Sequence, residues 1–396
     1  MDNLELFLSV GEPSGDLHAA HLIQHCQLHS ELSFRGFGGP MMEQAGCKID
    51  FRLTDMAVVG IVEVLPKLRQ FFQIADVASE IFERNPPAAV LLVDFPGFNW
   101  HIAKRAKKRG IPVYYYLPPQ LWAWGAWRIK KMRKYVDHVI CNLPFEYEWY
   151  QSQGMPASYV GHPFFDEVAS KKLDDAFMRV WSTKGDTVQV AVLPGSRNRE
   201  IKTIWPMQLA AIRELSARHP RVRFLVACLK QEHVDRCMEQ MSPSDKQLRI
   251  HFFAGKTSEV IEVADCAFMK SGSVSLEMMA RKTPAVVVYQ IGKMTYTLVK
   301  PVFKLKSITL PNLIAGRTVY PEFLAVGKNV APTIANCVEA MDRLIGNEDA
   351  REEQRCELEG VCQTAGQTGA TDRAVSFLAE RLGVTAQTRI APADAA

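Results

Sequence analysis

The chain has 396 residues, 47% of them apolar and 23% charged, with a formal charge of +4. That length exceeds what one hydrophobic core usually covers and predicts two domains, and the near-average composition excludes a fibrous or largely disordered chain. No run approaches the ~18 to 20 apolar residues of a membrane-spanning helix, so any meeting with a membrane is expected at its surface.

Short apolar runs alternate with longer amphipathic ones. Strands are predicted at Leu4 to Val10, Phe34 to Phe37, Ala88 to Val93 and Val113 to Leu117, with helices from about Leu17, through Glu80 and near His101. Runs such as AAVLLV are apolar on both faces, as in a parallel sheet covered by helices on each side. The rhythm pauses at Gly161-His162-Pro163 and the charged segment to Gly185. It resumes with strands at Val188 to Leu193, Val222 to Leu229, Ile250 to Phe253, Ala264 to Met269 and Ala285 to Tyr289. Beyond about residue 330 only helical spacing remains, with Ile334, Val338, Met341 and Leu344 on one face.

The expected class is α/β: a doubly wound, Rossmann-like domain over residues 1–165, a second over 186–330, C-terminal helices over 331–384 and a disordered tail over 385–396. Loops at strand C-termini gather the ligand in such folds, so the two domains are expected to face a shared cleft. Met1-Asp2-Asn3-Leu4-Glu5 lacks the basic and apolar regions of an export signal, and a cytoplasmic location is expected. The nine cysteines (26, 47, 141, 228, 237, 266, 337, 356 and 362) include no C-x-x-C pair, which speaks for reduced thiols. Positive residues cluster at 104–109 (KRAKKR), 128–134 (RIKKMRK) and 300–306 (KPVFKLK), which suits phosphate, anionic lipid, nucleic acid or simply solvated helix faces.

Val192-Leu193-Pro194-Gly195-Ser196-Arg197 links a strand to a helix. Gly195 lets the backbone approach a ligand, the N–H groups from Ser196 onward favour an anion, and Arg197 offers a bidentate phosphate donor; a tight turn with a surface arginine is the plainer alternative. Lys270 to Glu277 (KSGSVSLE) forms a similar junction, with Ser271, Gly272 and Ser273 at the same sheet edge. Glu277 then sits on a first helical turn, where it can accept ribose hydroxyls or complement the helix dipole. Neither a G-x-G-x-x-G fingerprint nor a G-x-x-x-x-G-K-[ST] loop is present, and no D-x-D pair or histidine cluster suggests a metal site.

In the first half, Gly11 to Asp16 (GEPSGD) holds Ser14, Gly15 and Asp16 in a candidate ligand loop or a well-capped turn. Asp94 ends an apolar strand in Val93-Asp94-Phe95-Pro96-Gly97-Phe98-Asn99, as a proton acceptor for an attacking hydroxyl or as a helix cap. Trp122, Trp124 and Trp127, beside RIKKMRK, suit sugar stacking, a membrane interface or core packing. In segment 58–72, Val62, Leu65, Leu68 and Phe72 stand at helical spacing with Lys67 and Arg69 between them. That segment reads as a buried helix or as an interfacial element reaching acyl chains.

Taken in order, GEPSGD (11–16), AVVGIVEVL (57–65), DFPGFN (94–99), LWAW (121–124), LPFE (143–146), GHP (161–163), LPGSR (193–197), SGSVSLE (271–277) and LPNLIAGR (310–317) resemble the lipid-A-disaccharide synthase family, inverting glycosyltransferases of the GT-B type. The resemblance spans about residues 7 to 325. It implies transfer of 2,3-diacylglucosamine from UDP-2,3-diacylglucosamine to the 6-hydroxyl of 2,3-diacylglucosamine 1-phosphate (lipid X). The products are a β-1,6 disaccharide 1-phosphate and UDP, with no metal or cofactor.

By resemblance, Asp94 matches a proposed base, Arg197 and Glu277 match nucleotide-binding residues, and Asn312 and Arg317 match a polar loop near the nucleotide. Ser14, Gly15, Asp16, Asn99, Trp122 and Trp124, with Val62, Leu65 and Leu68, fall on the acceptor or membrane side. Gly97, Gly125 and Lys270 depart from the family, standing where a second acid, a basic residue and a small residue often occur. The implied partners are the two lipid substrates and the anionic cytoplasmic face of the inner membrane, without nucleic acid; a homodimer is left open. One rival is an enzyme like UDP-N-acetylglucosamine 2-epimerase, against which the apolar, basic-flanked segment 58–72 speaks. Another is a non-catalytic binder of anionic lipid or nucleic acid, which leaves LPGSR and SGSVSLE unexplained.

Overall fold

All five residues of strand β4 (Ala89–Val93) are buried, because successive side chains point to opposite faces and helices cover both. The computed structural model describes residues 4–27, 32–56, 68–123, 125–183, 185–299 and 307–384. Val90 and Leu92 join one core with Phe7, Phe37, Ile74, Phe82 and Ile102, while Ala89, Leu91 and Val93 join another with Leu8, Ala19, Ile23 and Leu378.

The chain divides into two compact units: Met1–Asp166 with Thr368–Ala396, and Glu167–Gln367. Unit 1 holds a seven-stranded parallel sheet in the order β3-β2-β1-β4-β5-β6-β7. Its strands are β1 (Leu4–Val10), β2 (Leu32–Gly38), β3 (Lys48–Arg52), β4, β5 (Val113–Tyr116), β6 (His138–Cys141) and β7 (Ala157–Tyr159). Its helices include α1 (Pro13–Cys26), α2 (Pro40–Gln44), α3 (Leu68–Arg84), α4 (Pro96–Lys108), α5 (Ile129–Tyr135) and α6 (Pro144–Ser152).

Unit 2 holds a six-stranded parallel sheet in the order β10-β9-β8-β11-β12-β13. The strands are β8 (Gln189–Leu193), β9 (Arg223–Cys228), β10 (Ile250–Ala254), β11 (Cys266–Lys270), β12 (Ala285–Ile291) and β13 (Glu322–Val326). Around it lie α7 (Asn198–Arg218), α8 (Val274–Ala280), α9 (Leu310–Ala315), α10 (Ala331–Gly346) and α11 (Glu348–Ala365). Among the described residues no helix is long and apolar enough to cross a membrane.

The helices expected after residue 331 divide between the units. Helices α10 and α11 stay with unit 2, and α12 (Ala370–Leu382) packs against α1 of unit 1. Asp166 fixes its start, accepting from the N–H groups of Gly369 (2.5 Å) and Thr371 (2.9 Å) and from the Thr371 hydroxyl (3.0 Å). Residues 57–67, Trp124 and the tail 385–396 lie outside the described residues.

Leu378, fully buried among Leu22, Ile23 and Val375, joins the last helix to the first. Leu378→Ala is expected to destabilise unit 1 by about 2 to 5 kcal/mol. Hydrogen exchange checks this: β1 and β4 should lose protection while β8 and β9 keep theirs, and unchanged protection in β1 would contradict it.

Candidate active site

Strand order reverses once in each sheet. The chain leaves β1 toward β2 on one side and leaves β4 toward β5 on the other, and β8 and β11 part in the same way. Val10 pairs with Val93 and Leu193 with Met269, so each reversal brings two strand-to-helix loops side by side. These are the loops GEPSGD and DFPGFN in unit 1 and LPGSR and KSGSVSLE in unit 2. Ligands of doubly wound sheets bind at such points.

In unit 1, Asp94 and Phe95 both adopt left-handed backbone, with φ of 46° and 43°. Non-glycine residues enter this region at a penalty and need neighbours that hold them there. Asn99 does so. Its carboxamide donates to the carbonyls of Asp94 (2.8 Å), Ser9 (3.1 Å) and Val93 (3.2 Å) and accepts from the Ser9 hydroxyl (2.7 Å). The Tyr115 hydroxyl also donates to the Asp94 carbonyl, at 2.7 Å. Gly11 leaves room for the Phe95 ring, since a Cβ there would lie 2.1 Å from a ring carbon.

The Asp94 side chain is thereby set at the sheet edge, half-buried. Burial raises its pKa above the ordinary carboxylate value, against the lowering effect of the Phe95 N–H. A carboxylate whose pKa is raised is a stronger base toward the proton of an attacking hydroxyl.

Two expected ligand residues of this half hold neighbouring backbone. Asp16 is buried, and its carboxylate accepts from the N–H groups of Gly39 (2.9 Å), Met41 (2.9 Å) and Met42 (3.2 Å), which caps α2. Asn99 is fully buried, with both ends of its amide engaged, so it positions Asp94. Ser14 is exposed on the first turn of α1, and Gly15 is packed against Val10 and Val93.

Trp122 is half-buried, its indole N–H donating to Glu146 Oε1 at 3.1 Å and its ring edge-on to Phe145. Glu146 was not singled out by its sequence position, where an acid on a first turn reads as a dipole partner. Burial pushes its pKa up to about 8, partly offset by the Trp122 hydrogen bond. Trp127 is exposed, with the Arg128 guanidinium 5.2 Å from its ring centre. Trp124, Val62 and Leu65 lie outside the described residues, and Leu68 begins α3.

In unit 2, Gly195 has φ of 120°, and a Cβ there would lie 2.6 Å from Glu200 Oε2. Glu200, on the first turn of α7, accepts from the N–H groups of Ser196 (2.9 Å) and Arg197 (3.3 Å). Its other oxygen meets Lys270 Nζ at 2.9 Å and the exposed Arg197 at 3.4 Å. Burial works to raise its pKa, but Lys270 and these donors hold it below the ordinary glutamate value. Glu200 also escaped the sequence reading, where an acid on a first helical turn reads as a dipole partner.

Ser271 is buried, Ser273 is exposed, and the Ser275 hydroxyl closes the turn on the Gly272 carbonyl at 2.7 Å. Glu277 is buried and paired with Arg281 at 3.1 Å. Asn312 is buried. It accepts from the N–H groups of Val319 and Tyr320 (both 2.8 Å) and donates to the Tyr320 carbonyl (2.8 Å) and to Glu322 (2.6 Å), so it shapes the 316–320 loop. Arg317 is exposed and pairs with Glu357 on α11 at 2.8 Å.

Two parallel α/β sheets, each with paired loops at its reversal point, are the class of fold found in GT-B proteins. The UDP-GlcNAc 2-epimerase of Neisseria meningitidis, solved bound to UDP-GlcNAc, aligns with a TM-score of 0.65 at 12% identity, over 95% of this chain and 100% of that one. The calicheamicin glycosyltransferase CalG4 aligns at 0.58 and 15% identity, over 99% and 100%. In sequence, the lipid-A-disaccharide synthetase family matches residues 6–374. The lipid-A-disaccharide synthase of Anaeromyxobacter dehalogenans (strain 2CP-1 / ATCC BAA-258) is 34% identical over 382 residues, 96% of this chain and 97% of that protein. The chain belongs to the lipid-A-disaccharide synthase family.

Asn99→Ala leaves the carbonyls of Ser9, Val93 and Asp94 without their shared donor and the left-handed turn unsupported. A loss of about 1 to 3 kcal/mol in the stability of unit 1 is expected, with a fall in turnover and unchanged UDP binding. Denaturant titration and calorimetry check this, and full turnover in a folded variant would contradict the positioning role.

Proposed function

We propose that the chain transfers 2,3-diacylglucosamine from UDP-2,3-diacylglucosamine to the 6-hydroxyl of 2,3-diacylglucosamine 1-phosphate, with inversion. The observation that carries this reading is Asp94, a carboxylate of raised pKa held at the reversal point of the unit 1 sheet. The acceptor oxygen bonds to the donor C1 as the bond from C1 to the β-phosphate oxygen breaks. Its electron pair leaves on UDP, and the hydroxyl proton passes to Asp94.

UDP is assigned to the reversal point of unit 2. Gly195, Ser196 and Arg197, at the start of the 21-residue α7, face the diphosphate, and Ser271, Gly272 and Ser273 face it from the β11 side. Glu277 is assigned to the ribose, with Arg281 fixing its carboxylate.

The same reading puts the enzyme on the cytoplasmic surface of an anionic membrane, where its acylated substrates reside. Support comes from α4 and α5, which pack together in unit 1 and expose Lys104, Lys108, Lys130 and Lys131 near the exposed Trp127. Replacing these four lysines with glutamate is expected to lower binding to anionic vesicles by about 10²-fold or more. Sedimentation with vesicles measures it, and undiminished binding would move the membrane face elsewhere.

Asp94→Asn is expected to lower turnover by ~10² to 10⁴ and leave UDP binding intact. In the wild type, activity is lost as pH falls through the raised pKa, because protonated Asp94 cannot accept a proton. The acid limb of kcat/KM should therefore lie above the ordinary aspartate value of about 3.9 and vanish in Asp94→Asn. An acid limb that persists in the variant would remove Asp94 from the role.

A further inference from the structure

Lys270 ends β11 at the reversal point of unit 2, and its side chain is only 14% exposed, against 65% for Arg197. Its ammonium lies 2.9 Å from Glu200 Oε1 and 5.5 Å from the centre of the Tyr289 ring. Through Glu200 it is one carboxylate away from the N–H groups of Ser196 and Arg197. Gly272, in the adjoining loop, has no side chain to screen it, since a Cβ there would stand 3.8 Å from Nζ.

On the reading that unit 2 binds UDP, we infer that Lys270 contacts the donor diphosphate and is the ordered cation that receives its charge. A diphosphate arriving at the start of α7 meets the Glu200 carboxylate, a like charge that would repel it. Lys270 offsets that charge, and an ammonium with three donors keeps some for phosphate oxygens after serving Glu200. As the bond from C1 to the phosphate oxygen breaks, the electron pair moves onto UDP beside a cation already in place, with little reorganisation. Arg197 is less ordered: it is exposed, and its contact with Glu200 is 3.4 Å long.

The test compares UDP with uridine by calorimetry on the full chain and on K270M, K270Q and K270R, with thermal melting as the check of fold. UDP affinity should fall about 10- to 100-fold in K270M and K270Q and largely return in K270R, while uridine affinity stays at the wild-type level. Should K270M fail to fold because Glu200 loses its partner, the double variant K270M/E200Q removes both charges and should still lose UDP affinity relative to E200Q. Unchanged UDP affinity in folded K270Q, or equal losses for UDP and uridine, would overturn the assignment. A wild-type chain that binds no UDP would overturn the nucleotide reading itself, and Lys270 with it.

Discussion

One carboxamide joins the ends of two neighbouring strands. Asn99 collects the carbonyls of Ser9 on β1 and of Val93 and Asp94 at the end of β4, and its own oxygen is held by the Ser9 hydroxyl. Two consecutive left-handed residues, each carrying on the order of 1 kcal/mol or more of strain, persist only under such restraint. The restraints come from separate elements: the β1 end, β5 through Tyr115, and the following loop through Gly11. The place of the Asp94 carboxylate therefore depends on the whole strand order, and it would be lost if β1 and β4 were not neighbours.

Unit 2 meets the same geometric problem with charge. At its reversal point the linking group is the Glu200 carboxylate, which holds two backbone N–H groups with one oxygen and the Lys270 ammonium with the other. Below it, Gln208 reaches the carbonyls of Phe268 (2.9 Å) and Leu193 (3.4 Å), tying β11 to β8. The two halves share a topology and differ in what they pre-arrange. One presents a strained acid with a raised pKa, and the other presents N–H groups and cations around an internal anion.

Strands buried on both faces were legible as apolar runs, which is why β1, β4, β8, β9, β11 and β12 were all expected near their observed places. Strands β3 (KIDFR) and β13 (EFLAV) were not; both lie at a sheet edge, begin on a charged residue and hold half-exposed positions, whereas the edge strand β10 kept the apolar Ile250, Phe252 and Phe253. Strand β7, of three residues, is too short to show a period, and β6 (HVIC) opens on a polar histidine. The first helix begins at Pro13, ahead of the expected Leu17, because the turn residues Ser14 and Asp16 already belong to it.

At the sites, sequence located the loops and was less able to assign roles. Asp16, Asn99 and Asn312 carry the same polar groups whether they face a ligand or a distant backbone. What decides is tertiary contact, such as that of Asp16 with Gly39, 23 positions on, or of Asn99 with Ser9, 90 positions back.

The likeness to a UDP-GlcNAc 2-epimerase rests on the fold, which a glycosyltransferase also shares. What separates the two is the fate of the sugar. Mass spectrometry of the products made from UDP-2,3-diacylglucosamine and 2,3-diacylglucosamine 1-phosphate tests this most directly. The account predicts one tetraacylated disaccharide 1-phosphate with one UDP released per linkage. An unchanged acceptor beside an epimerised sugar nucleotide, or UDP released without a disaccharide, would contradict it.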